Sequence, residues 1–186
     1  MDMNATNLEE NTALLLSEKK YDSAFQQVIK YLAEPLYWHV RKIVISHENA
    51  DDVIQEVYTK IWLNLKSFEG RSKVKTWAFT IATNESLQFL RKEKKHRNLT
   101  LDDVESPLSS TLTSDPYFDG DEIEKKLQLI LLQLPDKQRI TFNMKYFDDM
   151  KYEEISEILG TSIGALKASY HHAVRKIKSA LQTESF

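Results

Sequence analysis

Residues 151–177 read KYEEISEILGTSIGALKASYHHAVRKI, and their layout decides the fold. A short helix buried through Ile155, Ile158 and Leu159 runs into Gly160, Ser162 is placed to cap a second helix, and Ile163, Leu166, Tyr170, Ala173 and Ile177 then recur in steps of three and four. This is the pattern of a helix-turn-helix. Its second helix turns those five residues inward and leaves Lys167, Ala168, His171, His172 and Arg175 outward. Small residues at Gly164, Ala165 and Ala168 let the backbone come close to a groove floor, where Lys167, the histidines and Arg175 meet bases and phosphates. From Ile158 to Thr183 there is no Asp or Glu, although the whole chain has 25 Lys and Arg against 28 Asp and Glu. A solvated helix mixes charge signs to gain pairs between neighbouring turns, whereas a surface meant for phosphate excludes carboxylates. The competing reading is an amphipathic helix that closes a small bundle with a solvated basic face. A metal site at His171 and His172 is disfavoured, because adjacent helical residues point about 100° apart.

Working outward, 186 residues suffice for two small domains. Hydrophobic residues at 41% and charged residues at 28% exclude a disordered tail or a membrane protein. Four glycines and four prolines leave little turn chemistry for hairpins, so an all-α chain is expected. The N-terminal stretch MDMNATNLEE lacks the basic start and apolar run of a signal peptide, and nothing approaches the roughly 18 apolar residues of a membrane span. A cytoplasmic protein without membrane insertion is expected. The absence of cysteine removes disulfides, thiolate nucleophiles and cysteine-ligated metals.

Tyr21 to Val44 carries apolar residues at helical spacing with Pro35 inside, which reads as helix, break, helix. DDVIQEVYTKIWLNLK then aligns Val53, Ile54, Val57, Tyr58, Ile61, Trp62 and Leu65 on one stripe, while Asp51, Asp52, Gln55 and Glu56 open the opposite face. In KSFEGRSKVKTW, Phe68, Arg71, Lys73, Lys75 and Trp77 combine cations for a backbone with flat faces for bases, as single-stranded nucleic acid requires. Trp77 reads equally well as core. The next helical stretch ends in RKEKKHR, residues 91–97, with five Lys or Arg against one Glu. Residues 98–124 reverse the sign, with eight acids and no Lys or Arg. A flexible acidic linker over 98–121 is expected, and about 24 such residues reach roughly 80 Å when stretched. Four helices follow up to the C-terminus.

Three stretches together resemble the extracytoplasmic-function group of bacterial sigma-70-type sigma factors: ADDVIQEVYTKIW with SFEGRSKVKTWAFTIATNESLQFLRKEKK, then LLQLPDKQRITFNMKYFDDMKYEEISEILG, then TSIGALKASYHHAVRKIKSAL. The resemblance covers roughly residues 20–97 and 122–182. It implies an N-terminal extension over 1–20, a sigma-two domain over 21–97, a linker over 98–121 and a sigma-four helix-turn-helix domain over 122–186. In the family, the helix matching ADDVIQEVYTKIW docks on the β′ coiled coil of RNA polymerase, which assigns Asp51, Asp52, Gln55 and Glu56 to polymerase binding, acid against a basic partner. The core enzyme's β subunit is a further implied contact. The loop matching FEGRSKVKTW reads the −10 element, which assigns Phe68, Arg71, Ser72, Lys73 and Trp77 and, with them, Asn84, Arg91 and Lys92. The last helix reads the −35 element through Ser162, Lys167, Ala168, His171, His172 and Arg175.

The family more often carries arginines in that helix than the alanine, serine and histidine found here. A bidentate arginine contact to guanine is worth about 1–3 kcal/mol, so one lysine and two histidines imply weak binding, with backbone contacts and duplex shape carrying more of the specificity. The resemblance also implies an anti-sigma protein as partner, and neither cofactor, metal nor catalysis of the chain's own, since the polymerase supplies the chemistry. The acidic linker and N-terminus are expected to keep the free chain off promoter DNA until polymerase tethers both heads. A stand-alone helix-turn-helix regulator is the alternative; it leaves ADDVIQEV and the SFEGRSKVKTW loop without a role. An enzyme with Asp52 and Glu56 as paired carboxylates lacks any accompanying HExxH, phosphate-cradling glycine loop or nucleophile elbow.

Overall fold

Helix start and stop chemistry divides the N-terminal half of the chain into four helices: α1 (Met3–Ser17), α2 (Tyr21–Val44), α3 (His47–Leu65) and α4 (Val74–His96). Among the described residues four more follow, α5 (Glu122–Leu132), α6 (Asp136–Tyr146), α7 (Tyr152–Leu159) and α8 (Ile163–Thr183). The computed structural model describes residues 3–96 and 122–183, and there is no strand among them. The expected linker at 98–121 lies outside the described residues.

Two expectations on the N-terminal half are corrected. α2 does not break at Pro35 but runs unbroken from Tyr21 to Val44. Pro35 is exposed, so the carbonyl that loses its donor one turn earlier can turn to solvent while the buried ladder on the other side, Val28, Leu32, Leu36, Val40 and Ile43, continues. Trp62 is not part of the inward stripe of α3. It lies at the edge, 36% exposed, with its ring 5.4 Å from and nearly perpendicular to that of Phe25. The helix also begins four residues before Asp51, because Ser46 Oγ accepts the Asn49 N–H at 3.0 Å and caps it there. Residues 3–17, whose folding composition does not decide, form a helix anchored through Leu8, which is 2% exposed.

The core of this half is built by the helical steps of Val28 to Ile43 against Val53, Val57 and Ile61 of α3 and Ala78, Phe79 and Ala82 of α4. Full burial of each larger side chain contributes about 1.5–3 kcal/mol. In the C-terminal half, Leu131, Leu134, Phe142, Ala173 and Ile177 form a second cluster. Phe142 is stacked between Tyr146 and Tyr170, at 5.2 and 5.7 Å.

α7 ends at Gly160, whose φ of +60° is the left-handed cap conformation. A Cβ added there would meet nothing within 4 Å, so the cost of a side chain is conformational alone. Gly160→Ala is expected to lower stability by about 1 kcal/mol and Gly160→Asn by less, measured by urea unfolding.

The two halves share a core. The first cluster continues from α2 and α4 into Ile140 and Met144 of α6, Met150, Ile155 and Ile158 around α7, and Leu166 of α8. A polar bridge closes the seam beside it. Asp148, in the turn before α7, accepts from His39 Nδ1 at 2.7 Å through one oxygen and from Lys42 Nζ through the other. Thr83 Oγ1, which donates to the Phe79 carbonyl at 2.7 Å, lies 2.9 Å from His39 Nε2. His39 is 1% exposed and the Asp148 side chain 7%. Lys42 also lies over the Phe147 ring, and Asn143 Nδ2 donates to the Lys42 carbonyl. Burial pushes the Asp148 carboxyl up, but the hydrogen bond and charge of His39, joined by those of Lys42, outweigh it and hold the group below the usual carboxylate range.

Candidate functional site

Three surfaces carry the residues singled out in the sequence. On α3, Asp51, Asp52, Gln55 and Glu56 are all exposed and lie opposite the buried Val53, Ile54 and Val57. Asp51, Asp52 and Glu56 have no ion-pair partner among the described residues. Between α3 and α4 runs a shallow groove. Val53 and Phe89 line it together with three acids, Asp52, Glu56 and Glu85, while Gln55, Gln88 and Lys92 complete the lining. Such a groove suits the aliphatic stem and charged tip of a lysine or arginine. Lys60 holds Glu85 in place at 2.6 Å. Lys92, which the resemblance assigns to −10 contacts, is exposed on α4 and also lines this groove. Glu85 and Phe89 escape the sequence reading because they belong to the next helix and no short spacing links them to Asp52.

The loop between α3 and α4 is closed at its base by Phe68 and Trp77, whose rings sit 4.9 Å apart and are both packed, half-buried, against the first core cluster. The exposed tip is formed by Glu69, Gly70, Arg71 and Lys73, with Ser72 half-buried beside them. Gly70 has φ +69°, the left-handed turn that folds the tip back. Arg71 is paired with Glu69 at 2.6 Å, but both side chains are well exposed, so the pair exchanges readily with phosphate. Lys73 has no ion-pair partner among the described residues. Asn84 and Arg91 are exposed farther along α4.

On α8, Ser162 Oγ accepts from the Ala165 N–H at 3.4 Å, a long N-cap bond. Leu166, Ala173 and Ile177 are buried; Ile163 and Tyr170 are half-buried at the edge. Lys167, Ala168, His171, His172 and Arg175 are exposed. The Lys167 ammonium lies 5.8 Å from the Tyr152 ring centre, and Arg175 Nη2 donates to His172 Nδ1 at 3.3 Å. The basic groups thus form one continuous strip. Burial, with Tyr170 nearby, pushes the Tyr152 hydroxyl up, so it stays a neutral donor beside that strip.

An all-α protein with a helix-turn-helix and a separate exposed basic loop belongs to the class of helical DNA-binding proteins. Comparison with known proteins narrows the class. Residues 28–96 match the model of sigma-70 region 2, and residues 124–177 that of sigma-70 region 4. The chain belongs to the sigma-70 family, as a sigma factor of the extracytoplasmic-function group. It is 28% identical over 174 residues to the ECF RNA polymerase sigma factor SigW of Bacillus subtilis (strain 168), a match covering 88% of this chain and 92% of that protein. It is 28% identical over 163 residues to the RNA polymerase sigma-H factor of Pseudomonas aeruginosa, covering 83% and 84% of the two chains. In fold it is similar to the sigma factor RpoE solved in complex with the anti-sigma factor NepR from Bartonella quintana, with a TM-score of 0.70, 23% identity and coverage of 86% of this chain and 98% of that one. CnrH, solved in complex with the cytosolic domain of CnrY, gives a TM-score of 0.69 at 19% identity and covers 96% of this chain and 99% of that one. No helix among the described residues is long and apolar enough to cross a membrane.

Proposed function

We propose that this sigma factor binds core RNA polymerase through the exposed face of α3, reads the −10 element with the loop before α4, and reads the −35 element with α8. The observation that carries this reading is the division of charge within one chain. Unpaired carboxylates cluster on α3 in the segment matched by region 2, and an acid-free strip covers α8 in the segment matched by region 4. An acidic face suits a basic protein partner and repels phosphate; the strip on α8 does the reverse. A stand-alone regulator needs only the second, which is why the region 2 match disfavours it. The chain acts in the cytoplasm, where polymerase and promoter are, and contributes recognition while the polymerase supplies the bond-forming chemistry. An anti-sigma protein, of the kind captured on RpoE, is a further partner.

Reconstituted transcription tests the proposal. Core RNA polymerase mixed with the chain should produce discrete 5′ ends from a genomic fragment library, all absent without the chain; a pattern identical with and without it would overturn the reading. Lys167 is expected to meet phosphate more than base. Lys167→Ala should weaken holoenzyme binding to the selected −35 duplexes about uniformly and reduce the slope of log affinity against log salt by about 1.

A further inference from the structure

The first turn of α4 has no cap of its own. Lys73, the residue just before Val74 whose carbonyl accepts the Trp77 N–H at 2.9 Å, offers no side-chain acceptor. The acceptor comes from 65 residues away: Glu9 of α1 takes the Val74 N–H at 2.7 Å through Oε2 and the Lys75 N–H at 3.2 Å through Oε1. A carboxylate at a helix N-terminus gains both from two charge-assisted bonds and from the helix dipole. α1 can hold it there because Leu8, the adjacent residue, is 2% exposed and Thr12, one turn on, is fully buried. Val74 is itself 2% exposed, so the junction is fixed from both sides, and the residue that enters it is Lys73 of the loop tip.

We infer that Glu9 is a positioning residue for −10 recognition: by clamping the first turn of α4 it sets where the loop 66–73 ends and how Arg71, Ser72 and Lys73 are presented. This rests on the reading of that loop as the −10 reader. It reverses the role expected for acid in the N-terminal segment. Glu9 does not stand against DNA as a free negative charge, because both its oxygens are committed to backbone N–H groups.

The test uses holoenzyme assembled from core RNA polymerase and the full chain, with a single-stranded DNA that the wild-type holoenzyme selects from a randomised pool. Glu9→Ala should lower affinity for that DNA about tenfold, the size of a lost helix cap, with core affinity unchanged. Amide exchange over residues 66–75 should rise by a similar factor while α2 and α3 keep their protection. Glu9→Gln, which retains one neutral acceptor and loses the charge and the second bond, should show both effects at a size between wild type and alanine, and keeps the test alive if the alanine variant is unstable. Wild-type DNA affinity and loop exchange in Glu9→Ala would overturn the inference, as would a fall in protection spread evenly over the bundle. If the wild-type holoenzyme selects no sequence, or Lys73→Ala binds the selected DNA as well as wild type does, the −10 reading of the loop falls and the inference falls with it. A Glu9 effect absent while Lys73→Ala is impaired sinks the inference alone.

Discussion

Core RNA polymerase is expected to co-elute with the wild-type chain in gel filtration and to leave the Asp52→Lys/Glu56→Lys variant behind. Both residues are exposed one helical turn apart on α3 and line a groove that also contains Glu85. Reversing the two charges removes two attractions to a basic partner and sets like charges face to face, each juxtaposition costing several kcal/mol. A total of about 3–6 kcal/mol corresponds to a loss of roughly 100- to 10,000-fold in affinity. The variant should fold normally, since exposed substitutions away from caps and core usually change stability by no more than about 0.5 kcal/mol. Equal affinity of the two proteins for core polymerase would reject α3 as the docking face.

The second large effect concerns the seam between the halves. Asp148→Ala leaves His39 buried without its acceptor and Lys42 without its partner. Breaking a buried pair from one side costs about 3–5 kcal/mol, and because Lys42 can swing to solvent a loss of about 3 kcal/mol in urea unfolding is expected. The pH dependence follows from the depressed carboxyl of Asp148. Its contribution is fully present above the unfolded-state value of about 4 and is lost as pH falls through the lower folded-state value. The comparison that isolates this one group is with Asp148→Asn. The stability gap between wild type and this variant should close on acidification below pH 4. A gap that stays constant into acid would show that the charge of Asp148 is not what holds the seam.

How far the sequence reveals this arrangement differs from helix to helix. The inward and outward faces of α8 are legible because Leu166, Ala173 and Ile177 repeat at the helical period and nothing interrupts them. The same period misplaces Trp62, because it reports which residues share a face and not how far the neighbouring helix extends over it. Pro35 misleads for a related reason: a helix breaks at proline only where the lost bond cannot be replaced, and on an exposed side water replaces it. Partners far apart in the chain leave no periodic trace at all. Glu9 meets Val74 across 65 residues and His39 meets Asp148 across 109. Phe68 and Trp77 are ambiguous in principle, since an aromatic that stacks on a base and one that packs on a neighbour have the same spacing.

The common core of the two halves bears on how genetic variants of this chain should be read. On the proposed reading, the loop before α4 and the strip on α8 meet elements about 25 base pairs, roughly 85 Å, apart along the duplex, so halves that share a core would have to separate to occupy both. Each unit of stability in the seam is then a penalty on promoter occupancy. Substitutions at His39, Lys42 or Asp148 touch none of the three recognition surfaces, yet on that reading they act in two opposed ways, lowering the stability of the fold while easing the separation of its halves.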